Sequence, residues 1–330
     1  MSNRTTKRIL VALVIVLAVS TLVLAEQPQL RLGEIKDYTK EVIAPGVEHH
    51  WVLAMGKTGP QQIFYLVVDS NQDYLQWGAS LASDQVIGME KTTEQVKRYA
   101  ETGKTVIAAF NADFYDVTNG EPLGIVIKQG ELITGFRSRG SFGVTKNGQG
   151  VIGLPEHTVS LKLGDVVQEI SQVKINKSRK DGDFAIYTYD YSTATAANAE
   201  GIEVVVKLEQ TETNNFKGKI IDVKQGGGTP LAEDILVLSA SPEQAKLLTE
   251  AEVGASVELT LSLAEPWNEI VEAVSGNHIL LKDGINQYPG GATGGEAPRT
   301  AVGIKADGKI VFLVVDGRAP GYSEGISIPQ

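Results

Sequence analysis

The chain has 330 residues, with 40 acidic against 30 basic side chains and a formal net charge of −10. A surface with this charge repels nucleic acid and anionic membranes in bulk, so an anionic substrate needs a local cluster of Arg or Lys. The sequence contains no cysteine, which excludes disulfides, thiolate metal sites and a cysteine nucleophile.

The first 25 residues contain the successive regions of a secretory signal peptide: basic, then apolar, then a small residue at the cleavage site. Three basic residues precede residues 9–24, which are mostly apolar. Val23-Leu24-Ala25 supplies the small residue that signal peptidase requires, so we expect cleavage after Ala25. An uncleaved anchor is the alternative, although about 16 apolar residues are few for a membrane span, which needs roughly 20. We expect an exported protein, extracellular or in the cell envelope, that meets the membrane only transiently through this segment.

The sequence after the signal peptide predicts one large domain, or two closely packed ones, with few helices. Residues 26–37 predict a short charged leader, and strand patterns extend from residue 38 to residue 330. A capping box at Thr92-Thr93-Glu94-Gln95 predicts a helix with Thr92 as its N-cap. That helix is expected to end near Gly103, because glycine suits the left-handed position after a helix. Ser241-Pro242 predicts the start of a second helix.

Strand signals dominate the remaining sequence. Residues 257–263 alternate between apolar and polar with a period of two, as a half-buried strand does. Asn147-Gly148 and Asp307-Gly308 each separate two apolar runs, and both dipeptides favour a hairpin turn. Because a regular βαβ alternation is missing, the order predicts an α+β fold of mostly antiparallel sheets with a few flanking helices. The more polar segment 168–228 is a candidate for an inserted subdomain.

Two apolar segments end abruptly in polar residues. Residues 106–110 and 310–315 are apolar at consecutive positions, which is typical of strands covered on both faces. The polar residues and the glycine that follow them are Asn111, Asp113, Asp116, Asp316, Gly317 and Arg318. Groups at the rim of a core are candidates for a site, and an arginine binds phosphate or carboxylate through two hydrogen bonds. The alternative, which has equal weight, is that these residues only form turns.

Two further segments carry candidate side chains. Pro298-Arg299-Thr300 opens the hairpin that leads to Asp316, so Arg299 is either a second cation at that site or an ordinary surface arginine. Asn277 and His278 precede another apolar run, although a lone histidine is more often structural than catalytic. Asp283-Gly284 indicates a turn first and a ligand second.

Motifs of several enzyme classes do not occur in the sequence. There is no Gly-x-Ser-x-Gly elbow, no Walker loop, no His-Glu-x-x-His and no histidine cluster with metal-ligand spacing. We therefore expect neither a serine-hydrolase triad nor a histidine-based zinc site. The sequence indicates no cofactor and no metal ligands, although acidic clusters of unassigned spacing could bind Ca²⁺. The residues alone predict an exported α+β protein with a candidate Asp/Arg site.

Five strings occur in the order that marks one family. They are Phe110-Asn111-Ala112-Asp113-Phe114, Gly120-Glu121-Pro122-Leu123-Gly124, Ile279-Leu280-Leu281-Lys282-Asp283-Gly284, Pro298-Arg299-Thr300-Ala301-Val302-Gly303 and Val314-Val315-Asp316-Gly317-Arg318. Together they resemble the phosphodiester glycosidase domain over residues 38–330. This is the domain of the lysosomal enzyme that uncovers mannose 6-phosphate by removing N-acetylglucosamine (GlcNAc) from a phosphodiester. Bacterial members are often labelled exopolysaccharide biosynthesis proteins.

The resemblance implies hydrolysis of a sugar 1-phosphodiester, similar to a GlcNAc 1-phosphodiester, at the anomeric C–O bond. The setting would be cell-envelope or exopolysaccharide metabolism, with a glycan or sugar phosphodiester as the partner. Because phosphate is a good leaving group, the reaction needs positive charge at the phosphate and a carboxylate near the anomeric carbon. The implied catalytic residues are Asp316, Arg318 and Asp113. The implied substrate-binding residues are Arg299, Asn111, Asn277, His278, Thr300, Gly317 and Asp283.

The sequence departs from the family pattern at two places. Ala297 stands before Pro298, where many relatives carry a polar residue. After Ser323-Glu324-Gly325 the family continues into an Asp-Gly-Gly-Gly-Ser motif, whereas this sequence ends at Gln330. We therefore expect a domain that lacks the final family segment. The alternatives to an enzyme are a non-catalytic polysaccharide-binding envelope protein and an inactive truncated remnant.

Cleavage after Ala25 predicts an exported protein that begins at Glu26. Replacing Ala25 by Arg should leave the precursor intact, because the peptidase needs a small residue at that position. Intact-mass spectrometry of the expressed protein measures both products, and Gln27→Arg is the control that should still be cleaved. A wild-type protein with the mass of the full precursor would contradict the prediction.

Overall fold

A computed structural model describes residues 33–135, 139–198, 200–289 and 295–328. The signal peptide predicted for residues 1–25 and the first part of the predicted leader lie outside these ranges. The first strand begins at Glu34, within the segment predicted as leader. None of the helices in the described ranges is long and apolar enough to cross a membrane.

Strands make up most of the regular structure. In chain order they are β1 (Glu34–Ala44), β2 (Val47–Met55), β3 (Pro60–Val68), β4 (Val126–Lys128), β5 (Glu131–Thr134), β6 (Ser141–Thr145), β7 (Gly150–Gly153), β8 (His157–Leu163), β9 (Val166–Ile170), β10 (Lys174–Ile175), β11 (Phe184–Tyr187), β12 (Ile202–Glu212), β13 (Asn215–Gln225), β14 (Ile235–Ala240), β15 (Ser256–Leu263), β16 (Ile270–Ser275), β17 (Leu281–Lys282), β18 (Ile285–Asn286), β19 (Arg299–Ile304) and β20 (Ile310–Val315). The α-helix α1 spans Thr92–Glu101. Short 3₁₀ helices span Ala82–Asp84, Pro242–Leu248 and Trp267–Glu269.

The strands form one eight-stranded sheet, two five-stranded sheets and one two-stranded hairpin. Sheet I has the order β1-β2-β3-β20-β19, and sheet III has the order β5-β4-β16-β6-β7. Sheet II has the order β10-β11-β14-β12-β13-β15-β8-β9, while β17 and β18 pair with each other. The β10–β11 pair is parallel and the other ladders are antiparallel. The predicted α+β fold of mostly antiparallel sheets with few helices is therefore confirmed.

Sheet III lies between the other two sheets and carries the centre of the core. Ile127 of β4 and Ala273 of β16 belong to the cluster formed with buried residues of sheet II such as Leu161. Phe142 of β6 packs on the other side against Phe312 of β20, with ring centroids 5.7 Å apart. Apolar contacts on both sides of one small sheet hold the three sheets together, because burial of apolar surface is the main stabilising contribution.

Local predictions from the sequence hold for β15 and for two hairpins. Val257, Leu259 and Leu261 alternate with more exposed residues along β15 and face the core. Gly148 has φ of +78° in the β6–β7 turn and Gly308 has φ of +83° in the β19–β20 turn, which confirms both hairpins. Segment 168–228 contributes β10–β13 to sheet II. Its status as an inserted subdomain and the domain limits stay predictions.

The predicted helices need small corrections. Helix α1 begins at Thr92 with Lys91 as its N-cap, so the prediction of Thr92 as N-cap is wrong by one residue. The Gln95 side chain donates to the carbonyl of Glu90 at 3.3 Å instead of closing a capping box. The second helix does begin after Ser241, but its seven residues form a 3₁₀ helix.

The strand predicted at residues 106–110 is not formed. Ala108 and Ala109 are exposed, and no strand within the described ranges pairs with this segment. Phe110 alone packs inward, with its ring centroid 4.1 Å from that of Phe312. Consecutive apolar residues therefore did not indicate a covered strand here, whereas residues 310–315 do form β20 in the interior of sheet I.

Neighbouring isoleucines on β13 provide a matched test of the core. Ile220 is 1% exposed and packs in the core between sheets II and III, whereas Ile221 is 49% exposed. Ile220→Ala should lower the free energy of unfolding by about 2–5 kcal/mol, because it removes buried methyl groups and leaves a cavity. Ile221→Ala should change it by less than about 1 kcal/mol. Equal effects of the two substitutions in chemical denaturation would contradict this placement of β13.

Candidate functional site

The backbone of Asp113 is docked to the end of sheet III. Its N–H donates to the carbonyl of Ser275, the last residue of β16, at 2.8 Å. The buried hydroxyl of Ser275 accepts the N–H of Ile125, just before β4, at 2.6 Å, and lies 3.0 Å from the hydroxyl of Ser141. Asp113 is therefore positioned by three neighbouring strand ends of one sheet, although the segment that carries it is not a strand.

The carboxylate of Asp113 is held by two backbone N–H groups. Phe114 donates to Oδ1 at 2.7 Å and Gly124 donates to Oδ2 at 2.6 Å. A Cβ atom at position 124 would lie 2.2 Å from the Ser275 hydroxyl oxygen, so only glycine permits this approach. These contacts fix the orientation of a side chain that is 9% exposed.

Burial and two cations act in opposite directions on Asp113. Burial raises the pKa of Asp113, and the N–H groups of Gly124 and Phe114, then Arg139 and Lys177, lower it in part. Arg139 Nε lies 3.7 Å from Asp113 Oδ1. Burial also lowers the pKa of Lys177 to about 8, while its ammonium group donates to the carbonyl of Pro122. The carboxyl group of Asp113 is thus protonated more readily than an ordinary surface aspartate.

Arg139 connects Asp113 to the segment after β16. Its Nε donates to the carbonyl of Gly276 and its Nη2 to Oδ1 of Asn277, both at 3.0 Å. The guanidinium carbon lies 5.9 Å from the centre of the Phe114 ring, a distance at which cation–π attraction operates. One arginine therefore contacts both the segment of Asp113 and the segment that follows β16.

A row of polar side chains continues from Asn277. Asn277 Nδ2 lies 2.8 Å from His278 Nε2, and His278 Nδ1 lies 2.6 Å from the hydroxyl oxygen of Tyr288. Asp283, by contrast, occupies the β17–β18 turn with φ of +52° and is exposed. The structure brings Asn277 and His278 into one network with Asp113, and it places Asp283 in the turn that the sequence indicated first.

A second group of predicted residues lies where β20 ends and β19 begins. Arg299 is the register partner of Val315, so it stands beside Asp316 on the next strand. Arg299 donates from Nε to the carbonyl of Ile326 at 3.1 Å and from Nη2 to that of Gly295 at 2.8 Å. A Cβ at Gly317 would lie 2.5 Å from the nitrogen of Pro298, so glycine lets the two strand ends meet.

The side chains of Asp316 and Arg318 have different surroundings. Asp316 Oδ2 accepts the Tyr322 hydroxyl at 3.2 Å, and the backbone carbonyl of Asp316 accepts the buried Ser323 hydroxyl at 2.7 Å. Arg318 is exposed, and no acidic side chain in the described part of the chain forms an ion pair with it. Asp316 is therefore oriented by its own loop, whereas Arg318 is accessible to an anion.

One hydrogen bond joins the two groups. The Thr300 hydroxyl donates to Oδ1 of Asn111 at 2.6 Å. Asn111 precedes Asp113 by two residues, and Thr300 follows Arg299 directly. The chain around Asp113 and the end of sheet I are consequently held side by side.

Two of the three predicted catalytic residues have left-handed backbone geometry. Asp113 has φ of +32° and Arg318 has φ of +59°. Such geometry costs about 1–3 kcal/mol for a residue other than glycine and clusters at functional sites. A positive φ is not sufficient evidence that a residue belongs to a functional site, because Asn214 and Asp283 adopt it in ordinary hairpin turns.

The sequence interpretation missed three residues of this site: Arg139, Lys177 and Tyr288. Arg139 lies two residues before Ser141, the first residue of β6, which is paired with Ser275 at the end of β16. The sequence therefore carried a signal for Arg139, because polar residues next to an apolar strand were the candidates chosen around residues 106–110 and 310–315. It could be used only once β6 and β16 were known to be neighbours. Lys177 lies in a polar segment with no apolar pattern to mark its burial.

A comparison with family models concerns the C-terminal part of the chain. The sequence model of the phosphodiester glycosidase family matches residues 200–330, which confirms the resemblance seen in the sequence motifs. The matched range includes Asn277, His278 and the β19–β20 end, whereas Asp113 and Arg139 precede it. No curated protein matches the chain.

Two solved structures share the fold. A hypothetical protein from Synechocystis aligns with a TM-score of 0.70 at 14% identity over 89% of this chain and 54% of its own. The chain thus spans about half the length of that protein. A candidate exported protein from Burkholderia pseudomallei K96243 aligns with a TM-score of 0.68 at 14% identity, over 92% of this chain and 88% of its own. At this identity the likeness concerns the fold alone.

The contact between Arg139 and Asp113 predicts a measurable pKa change. Arg139→Gln should raise the pKa of Asp113 further, because it removes a cation that stabilises the ionised carboxylate. The titration of the Asp113 carboxyl carbon by NMR measures this shift. Lys146→Gln, on the exposed β6–β7 turn, is the control that should leave it unchanged. An unchanged or lower pKa in Arg139→Gln would contradict the geometry.

Proposed function

We propose that this protein hydrolyses a sugar 1-phosphodiester, similar to a GlcNAc 1-phosphodiester, at the anomeric C–O bond. The observation that carries the proposal is the buried, oriented carboxylate of Asp113 beside Arg139, joined through Asn111 and Thr300 to the loop of Asp316 and Arg318. The family match at residues 200–330 supports a glycan-type substrate. Carboxylates and guanidinium groups are the groups that such a reaction requires.

Asp113 is the preferred candidate for the base or nucleophile. Each of its two oxygens accepts a hydrogen bond from a different backbone N–H group, which orients the carboxylate without neutralising it. Burial raises its pKa, and a base is more effective when its pKa lies closer to the working pH. Asp316 is the second candidate, since its Oδ1 accepts none of the hydrogen bonds found in the described part of the chain.

Arg318 is the preferred candidate for binding the phosphate. Its guanidinium group is exposed, so it keeps both edges for a two-pronged contact. Arg299 uses Nε and Nη2 to hold backbone carbonyls, which leaves Nη1 for a ligand. In this proposal, Asn111, Asn277 and Thr300 bind sugar hydroxyl groups beside the phosphate. His278 supports the side chain of Asn277 through their mutual contact, and Gly317 allows the two strand ends to approach closely.

We propose cell-envelope or exopolysaccharide metabolism as the setting. The basic and apolar order of residues 4–24 supports export to that compartment. A non-catalytic polysaccharide-binding protein of the same fold would bind the glycan without turnover. Direct assay of hydrolysis therefore separates the two functions.

Arg318→Ala should lower kcat/KM for UDP-GlcNAc or another GlcNAc 1-phosphodiester by at least about 100-fold, because the phosphate loses a charge-assisted contact. Asp113→Asn should lower kcat by at least as much, with little change in KM. Release of free sugar measures turnover, and thermal melting shows whether each variant is folded. Lys305→Ala, near the β19–β20 turn, is the control that should retain activity. Near-normal hydrolysis by Arg318→Ala would reject its assignment.

A further inference from the structure

Four side chains form an unbroken row that leads away from Asp113. Arg139 Nη2 donates to Asn277 Oδ1 at 3.0 Å, and Asn277 Nδ2 lies 2.8 Å from His278 Nε2. His278 Nδ1 lies 2.6 Å from the hydroxyl oxygen of Tyr288. Each of these distances is within hydrogen-bond range, so the direction of every bond can be deduced from the first donor.

Arg139 fixes the direction of the row. A guanidinium group only donates, so the atom of Asn277 that faces it is the amide oxygen. The amide nitrogen of Asn277 then donates to Nε2 of His278, which must carry a lone pair. A neutral imidazole with a lone pair on Nε2 has its proton on Nδ1 and donates it to Tyr288. The Tyr288 hydroxyl accepts this bond and retains its own hydrogen for another acceptor.

We propose that Tyr288 donates this remaining hydrogen bond to a phosphodiester oxygen of the substrate, oriented by Asn277 and His278. The inference rests on the proposed function and adds a substrate-contacting residue to it. Tyr288 is half-buried, and its ring meets the His278 ring edge-on with centroids 5.2 Å apart and an angle of 86°, so the hydroxyl position is defined.

A phosphate oxygen is the acceptor that this donor suits best. A hydroxyl group that accepts a hydrogen bond becomes a stronger donor, because successive bonds polarise one another. A hydrogen bond to an anionic oxygen is shorter and stronger than one to a sugar hydroxyl. Because Arg139 can only donate, each later group in the row donates toward Tyr288. The row therefore ends in a donor, which favours an anion over a cation as the ligand.

The proton position on His278 tests the row without any assay of activity. The ring nitrogen NMR shifts of neutral His278 in the wild-type protein should place the proton on Nδ1. Asn277→Asp should move a proton to Nε2, because a carboxylate only accepts hydrogen bonds while still pairing with Arg139. His278→Gln assigns the signal among the four histidines. A proton on Nε2 in the wild type would overturn the direction of the row.

Kinetics test the contact with the substrate. Tyr288→Phe should lower kcat/KM for a GlcNAc 1-phosphodiester by about 10- to 100-fold, the range for losing a hydrogen bond to a charged group. It should also weaken inhibition by GlcNAc 1-phosphate and leave inhibition by GlcNAc unchanged. If Tyr288→Phe weakened inhibition by GlcNAc 1-phosphate and by GlcNAc equally, Tyr288 would contact the sugar, and the assignment would be overturned. Tyr74→Phe, which removes another half-exposed hydroxyl that donates to Pro45, is the matched control and should retain activity.

A double variant tests the positioning role of His278. If His278 acts through Tyr288, the double variant His278→Ala/Tyr288→Phe should have a kcat/KM only slightly lower than that of the less active single variant. Additive losses would overturn that role. A wild-type protein that hydrolyses no sugar phosphodiester would reject the proposed function, and the contact with it. An active wild type with a fully active Tyr288→Phe would overturn the contact alone.

Discussion

The hydrogen bond from the backbone of Asp113 to the carbonyl of Ser275 sets the position of the buried carboxylate on which the candidate site depends. Ser275 is the last residue of a central strand, and its buried hydroxyl also holds the start of β4. The segment of Asp113 pairs with no strand, but this hydrogen bond holds its backbone in a fixed position relative to sheet III. A residue on an untethered loop would not keep its carboxylate within hydrogen-bond distance of two N–H groups, because loops are mobile unless their backbone groups are satisfied.

The layer arrangement explains why the site forms at this place. Sheet III is small, but it packs against sheet II on one side and sheet I on the other. The ends of its strands are therefore close to the ends of β19 and β20, and the Asn111–Thr300 bond connects the two edges. Polar groups from segments far apart in the chain gather where two apolar interfaces terminate.

The electrostatics of the site follow from this position at the edge of a core. Asp113 and Lys177 are both largely removed from water, so each is driven toward its neutral form. Lys177 also holds the turn that carries Gly124, through the carbonyl of Pro122. The ionisation of Asp113 is therefore coupled to the same contacts that hold its loop in place.

Local features of the chain determined the strand-rich class, the hairpins at Asn147-Gly148 and Asp307-Gly308, and the alternation along β15, because these depend on neighbouring residues. The motifs also marked Asp113, Asn277, His278, Asp316 and Arg318 as candidates before any contact was known. Tertiary structure decided that residues 106–110 form no strand, since pairing requires a partner that local sequence does not name. It also decided the contacts of Arg139, Lys177 and Tyr288, because burial and the direction of a hydrogen bond arise only when distant segments meet.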